Sequence, residues 1–338
     1  MNNEYTSFPD ETIRKIVGRN KIKYNILNDL FTKNEISNIK TLLINGDSIL
    51  LDMHKYIKEY GKSDNDVYKN DIIYAITSSI LNTIAHYRYY FILHDEYPKI
   101  YFFADSNDDH PYIRKAMEIS KIILKYIPNA YFVDTKNFQT SIAMYYFKHK
   151  NTLIISRDEF DLMMLDDKTS ILKTFGDKSK IYTVDNWQKV FYASKYDKKY
   201  KKVSENFLNI IECFAGAHGR DGVKKIGKRT IVRLIYKGLE NNYIVDMKYS
   251  NIYDFIHDMG DLLSKYNVSN AIQNFNDYDI TTNYNKVMTK AIEKRLDSNI
   301  EDKFSKKDLI KLNSKYFTGF NYLMLDELLM VPKSYKNK

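Results

Sequence analysis

The chain has 338 residues, 44% of them hydrophobic, enough for one large folded domain or two ordinary ones, which excludes a disordered tail or linker. Lys and Arg outnumber Asp and Glu by 52 to 43, and the net charge of +9 permits binding to polyanions without requiring it. Much Lys, Asn, Ile and Tyr beside only 11 Gly and 5 Pro is what AT-rich coding produces, so the clustering of charge must carry any nucleic-acid argument.

Cys213 is the single cysteine, so no internal disulfide forms and the cytosol is the default compartment. The opening residues carry no apolar signal core. The most apolar run, "AITSSILNTIAHYRYYFIL", is interrupted by His86 and Arg88 and reads as a buried helix rather than a membrane span.

In chain order, residues 10–33 read as one or two polar amphipathic helices, and residues 40–45 as the first strand. Helical spacing follows from Ile49 to Ile57 and from Ile72 to Phe91, then a strand at "KIYFFAD", a helix over 111–127 and a short strand "NAYFVD". A helix over 138–148, the strand "NTLIIS", a helix after "RDEFD" and a strand "KIYTV" complete the alternation. Strands separated by helices predict a central parallel sheet flanked by helices. Residues 203–330 read as helices only. The expected division is a helical extension over 1–38, an α/β domain over 39–200 and a helical region over 201–338.

Ligands of open parallel sheets bind beyond the carboxyl ends of the strands. There the chain places Asn45-Gly46-Asp47-Ser48, then Asp105, then Arg157-Asp158 with Glu159 and Asp161 close behind. Carboxylates at neighbouring strand ends can converge on Mg or Mn, while any one of them alone is more simply a helix cap.

A second feature is "FAGAHGRDGVKKIGKRTIVRLIYKG", residues 214–238. Gly222 and Gly227 bracket a turn between two helices, and Arg220, Lys224, Lys225, Lys228, Arg229 and Arg233 fall within fourteen residues. Backbone N–H groups at such a helix N-terminus can hold a DNA phosphate, with the lysines adding charge; the plain alternative is a solvated helix-turn-helix. The seven histidines show no metal-type spacing, and Trp187 reads as core.

Together these features resemble the flap-endonuclease and 5′-3′ exonuclease family, particularly its bacteriophage members. The resemblance implies a PIN-like α/β domain followed by an all-helical helix-three-turn-helix DNA clamp. Asp105, Arg114 and Asp158 match motif positions of the family, which implies metal-binding and catalytic roles for Asp105 and Asp158, with Asp47 and Asp161 as substitutes, and a DNA contact for Arg114. It also implies DNA contacts for Arg220, Gly222, Lys224, Lys225, Gly227, Lys228 and Arg229.

Departures from the family are as informative. Asn45 replaces the first metal-binding Asp, the acidic cluster before the third strand is replaced by Asn137, Gln139 and Thr140, and the second Asp of an Asp-x-Asp pair falls on Phe160. Of two Asp residues before the hairpin only Asp221 remains, and no long arch fits between Arg114 and Gln139. Two divalent ions held close together need more negative oxygen ligands than this. The expectation is a viral pseudonuclease that binds duplex or branched DNA and requires no cofactor. Its alternatives are an active Mg- or Mn-dependent 5′-nuclease with a rearranged site, and a scaffold subunit of a replication, transcription or virion complex. Its place would be the cytoplasm of a host or the virion, with no membrane partner.

Overall fold

The computed structural model describes residues 24–60, 69–135, 140–148, 151–174, 179–186, 203–216, 221–244 and 249–276, apart from the single positions 107, 109, 126, 159 and 250. Of the helices expected over 10–33, α1 (Tyr24–Leu30) and the start of α2 (Lys33–Asn38) are present, while residues 10–23 lie outside the described residues. A reciprocal capping box starts α2: Glu35 N–H donates to the Thr32 hydroxyl and Thr32 N–H to the Glu35 carboxylate.

Six strands form one sheet: β1 (Thr41–Asn45), β2 (Lys99–Ala104), β3 (Ala130–Asp134), β4 (Thr152–Ser156), β5 (Thr169–Lys173) and β6 (Lys180–Tyr182). Their order is β3-β2-β1-β4-β5-β6, and the pairs β1 with β2, β2 with β3 and β1 with β4 are parallel. β1 and β4 are buried at every position, which is why "TLLIN" and "TLIIS" show no polar alternation. Helices α3 (Gly46–Tyr60), α4 (Lys69–Leu93), α5 (Pro111–Leu124) and α6 (Thr140–Phe147) make the connections, so the α/β expectation is met. The chain builds outward from β1 to β3 and then returns to β4 on the other side of β1. At such a reversal, here at the carboxyl ends of β1 and β4, open parallel sheets bind their ligands.

One expectation needs correction. After "RDEFD" there is no full helix but a short 3-10 turn, Phe160–Met164, and β5 follows, a strand that the residue pattern did not announce. Asp166 breaks the helical run: its side chain accepts Lys168 N–H at 2.9 Å and its carbonyl accepts Thr169 N–H at 3.1 Å, which turns the chain into β5.

α4 is buried along most of its length, and no helix among the described residues is long and apolar enough to cross a membrane. Arg88, 2% exposed, donates to the Tyr97 hydroxyl at 2.6 Å, and Tyr97 donates in turn to the Pro128 carbonyl. This pins α4 to the entries of β2 and β3, at the sheet edge away from the strand carboxyl ends. Burial pulls the Arg88 pKa down, and Tyr97 opposes the shift.

The chain divides into two compact units. One holds residues 1–157, 172–181 and 288–338; the other holds 158–171 and 182–287. In the second, α7 (Leu208–Ala215), α8 (Lys228–Glu240), α9 (Ile252–Asp258), α10 (Gly260–Leu263) and a helix over 269–276 enclose a core containing Phe207, Ile211, Phe214, Ile231, Ile235 and Phe255. Phe255 packs edge-to-face on both Phe214 and Tyr249.

Candidate functional site

The first unit presents a set of polar groups at the strand ends. Asn45 is buried, and its side-chain carbonyl accepts Ser48 N–H at 3.0 Å, while the Ser48 hydroxyl donates to the Asn45 backbone carbonyl at 2.8 Å. Asn45 thus caps the entry of α3, which is what its residue type does best at that place. The Ser48 hydroxyl also accepts Arg157 N–H at 3.2 Å, tying the mouth of α3 to the end of β4.

Gly46 owes its identity to a close approach. A Cβ there would stand 2.4 Å from the Phe103 carbonyl oxygen and 2.5 Å from the Phe102 ring, so the junction of β1 with α3 presses directly on β2.

Asp47 and Asp105 are brought together. One Asp47 oxygen accepts Asp105 N–H at 3.0 Å, and the other accepts the Thr140 hydroxyl, which is also paired with Thr135 at 2.9 Å. Burial pushes the Asp47 carboxyl above its ordinary value; the bonds from Thr140 and Asp105 N–H pull it down, and the charges of Asp105 and Asp108 add to the rise.

Two residues near these strand ends, Asp134 and Asp108, were marked by no motif in the sequence. Asp134, at the end of β3, accepts the Ser106 hydroxyl at 2.6 Å and the Lys121 ammonium at 3.0 Å. Burial alone would raise its pKa, but Ser106 and Lys121 outweigh it and hold the carboxyl below the ordinary value. Asp108 accepts His54 Nε2 at 2.8 Å and His110 N–H at 2.8 Å. There too burial raises the pKa and is outweighed, first by the His54 bond. No spacing rule links His54 to Asp108, because α3 and the loop after β2 meet only in the fold. His110 caps α5, its Nδ1 accepting Tyr112 N–H, ahead of Pro111 at the first helical position. Arg114 is exposed one turn further on.

Asp158 and Asp161 belong to the second unit, Asp158 half-buried and Asp161 fully buried. Glu159, Asn137, Gln139, Ala217, His218, Arg220 and Trp187 lie outside the described residues. Among the described residues no group of three or more His, Cys, Asp or Glu side chains is gathered to hold a metal ion. Asp47 accepts from two protein donors, Asn45 caps a helix and Asp134 faces an ammonium.

The hairpin is built in the second unit. Gly216, at φ 77°, ends α7, and the chain re-enters the described residues at Asp221. Val223 N–H donates to the Phe214 carbonyl at 2.8 Å and Ile226 N–H to the Val223 carbonyl at 2.9 Å. Val223 and Ile226 are buried, so the turn between them lifts Lys224 and Lys225 into solvent, Lys225 at φ 71°.

The two hairpin glycines differ. A Cβ on Gly222 would lie 2.4 Å from the backbone of Ala215, whereas a Cβ on Gly227, the N-cap of α8, would meet nothing within 4 Å. Gly222 is needed by the protein's own packing; the space at Gly227 is open to something else. From the helix over 269–276, Asn270 donates to the Gly222 carbonyl at 3.1 Å, and Asn274 to the Cys213 and Asp221 carbonyls at 2.9 and 3.1 Å. Among the basic residues, Lys224, Lys225 and Arg229 are exposed, but Lys228 reaches inward to Glu212 at 2.9 Å, where the Glu212 side chain is 1% exposed.

No family model matches the chain, and no curated protein does. Among solved structures, the chain is similar to the T5 D15 protein co-crystallised with metal ions, at 11% identity over 81% of this chain and 99% of that one, with a TM-score of 0.41. It is similar also to the T5 5′-exonuclease with zinc bound, at 12% identity over 82% and 98%, TM-score 0.37. A third similarity is to a bacteriophage T5 flap endonuclease pseudo-enzyme–product complex with DNA and metal ions, at 13% identity over 86% and 99%, TM-score 0.38. These likenesses are too distant to assign any residue a role.

Proposed function

We propose that this protein is a flap-endonuclease-like DNA-binding protein, a pseudonuclease of PIN-like and helix-three-turn-helix build, that grips duplex or branched DNA through the hairpin before α8. The observation that carries the reading is the hairpin itself. Buried Val223 and Ile226 hold it rigid, Lys224 and Lys225 stand exposed on its turn, and Gly227 leaves open space at the mouth of a 13-residue helix. A phosphate can approach that helix end closely and meet both backbone donors and cations. Arg114 and Arg220 would add contacts of the same kind. In the first unit the oxygens at the strand ends are engaged with protein donors, in keeping with a two-metal site that has been lost. The division at residues 38 and 200, and a place in a host cytoplasm or virion, belong to the same reading.

An active 5′-nuclease using Mg or Mn is the second reading. It is favoured by one observation, the repulsion that Asp105 and Asp108 exert on the buried Asp47 carboxylate, which a bound cation would relieve. In that case Asp105 would be a ligand in the first unit and Asp158 a candidate ligand in the second, and a metal ion would supply an activated water. One pair of measurements tests both. A labelled duplex with a 5′ flap is titrated with protein at several salt concentrations, then incubated with Mg or Mn. Salt-dependent binding without cleavage is the expected result; cleavage abolished by Asp105→Ala or Asp158→Ala would replace the pseudonuclease with the enzyme.

A further inference from the structure

α8 has two faces. Ile231, Val232, Leu234, Ile235 and Gly238 are buried, whereas Arg229, Arg233 and Lys237 are exposed. These three stand at i, i+4 and i+8, so each lies about 6 Å along the axis from the last and the three form one row. Like charges at this spacing weaken an isolated helix, so the row is not there for helix stability. Nothing in the buried face requires it either, since that face is apolar. Lys228, in the first turn, points the other way, to Glu212.

The row also has a direction. It starts at the open space around Gly227, beside Lys224 and Lys225, and it stops at Glu240, an exposed carboxylate one turn beyond Lys237 that accepts the Tyr236 hydroxyl. Positive charge therefore continues from the hairpin along about two turns of the helix and then changes sign.

We infer that the nucleic-acid surface does not end at the hairpin: the row Arg229, Arg233, Lys237 carries the phosphodiester backbone of one DNA strand along α8, with Glu240 marking its limit. Charge complementarity selects the occupant. A polyanion with regularly spaced single charges suits a row of regularly spaced cations, and Arg at the first two positions can engage phosphate oxygens bidentately. The inference rests on the DNA-binding reading above and extends it to residues outside the glycine hairpin.

The test is the salt dependence of duplex binding by the full chain. Each lost phosphate contact lowers the slope of log affinity against log salt by about 0.9, so Arg233→Gln with Lys237→Gln lowers it by about 1.8. The thermal midpoint stays unchanged, because both side chains are exposed, and Glu240→Gln tightens binding. Lys224→Ala is measured alongside. If Lys224→Ala lowers the slope while the Arg233 and Lys237 pair does not, the row is ordinary solvated surface, and if the pair alters binding of single strands alone, the row does not carry a duplex backbone; either result overturns the inference with the hairpin reading intact. If the wild-type chain does not bind duplex even at low salt, the hairpin reading fails and takes the inference with it.

Discussion

The carboxylate of Asp47 accepts the backbone N–H of Asp105 at 3.0 Å and, through its other oxygen, the hydroxyl of Thr140. Three segments are thereby latched: the start of α3, the end of β2 and the start of α6. Holding a charge in this half-buried place raises the Asp47 pKa, because desolvation outweighs the two hydrogen bonds. The folded state therefore favours the proton. Stability attributable to Asp47 is highest at low pH and is lost as pH rises from the ordinary value of 3.8 through the raised one. Asp47→Asn loses one acceptor, at about 1 kcal/mol at low pH, but it escapes the charge penalty at neutral pH. Denaturant unfolding of both proteins between about pH 3 and pH 7 is expected to show the difference moving in favour of Asn as pH rises. A difference flat over that window would mean Asp47 is not desolvated.

Asp134 gives the opposite sign. Ser106 and Lys121 hold its pKa down, so its contribution is present above the ordinary value of 3.8 and disappears as pH falls through the lowered one. Asp134→Asn is expected to cost about 1–2 kcal/mol at neutral pH, by weakening a bond to an ammonium and turning a donor toward another donor. The same unfolding series would show this cost shrinking on acidification, where that of Asp47→Asn grows. Parallel behaviour of the two variants would contradict the assigned partners.

The strands were readable because β1, β2, β3 and β4 are compact apolar runs with clear breaks, and the six-residue "KIYFFA" could be little else. β5 was not readable, since its five residues follow apolar Leu162 and Met164 closely and only the Asp166 turn separates them. At the site, the reason for Gly46, the Phe103 carbonyl 2.4 Å from its missing Cβ, exists only once β2 lies beside β1. Asn45 was legible as a lost acid; that it serves as the α3 cap emerges from one hydrogen bond. Lys228 counted in the sequence as one cation of a cluster. Its acid, Glu212, sits in a different helix among apolar neighbours, and nothing in the linear spacing points from one to the other.

Gly222 and Gly227 are predicted to behave differently despite their symmetric look in the sequence. Gly222→Ala drives a methyl into the Ala215 backbone, which cannot give way as a flexible side chain would, so it should lower the thermal midpoint by several degrees. Gly227→Ala meets nothing and has φ −92° and ψ 173°, which alanine adopts freely. Losing glycine at an N-cap should cost at most about 1 kcal/mol. Its effect is expected in duplex binding instead, where the methyl occupies the approach to α8. Equal thermal shifts for the two variants would remove the distinction.

Lys228 is the basic hairpin residue whose role separates stability from binding most sharply. Its ammonium lies 2.9 Å from a Glu212 side chain that is 1% exposed, and removing one partner of a buried pair typically costs roughly 3–5 kcal/mol because a charge stays behind in a dry place. Lys228→Met should therefore unfold the second unit at lower denaturant. Lys228→Met combined with Glu212→Leu should recover most of that loss, since two apolar groups can replace the pair. Lys228 cannot face Glu212 and a phosphate equally well, so the double variant, once folded, should bind duplex with an unchanged salt slope, whereas Lys224→Ala lowers the slope by about 0.9. A fall of the same size in the double variant would mean that Lys228 leaves Glu212 for DNA. The ion pair would then be a resting state of the hairpin rather than part of its foundation.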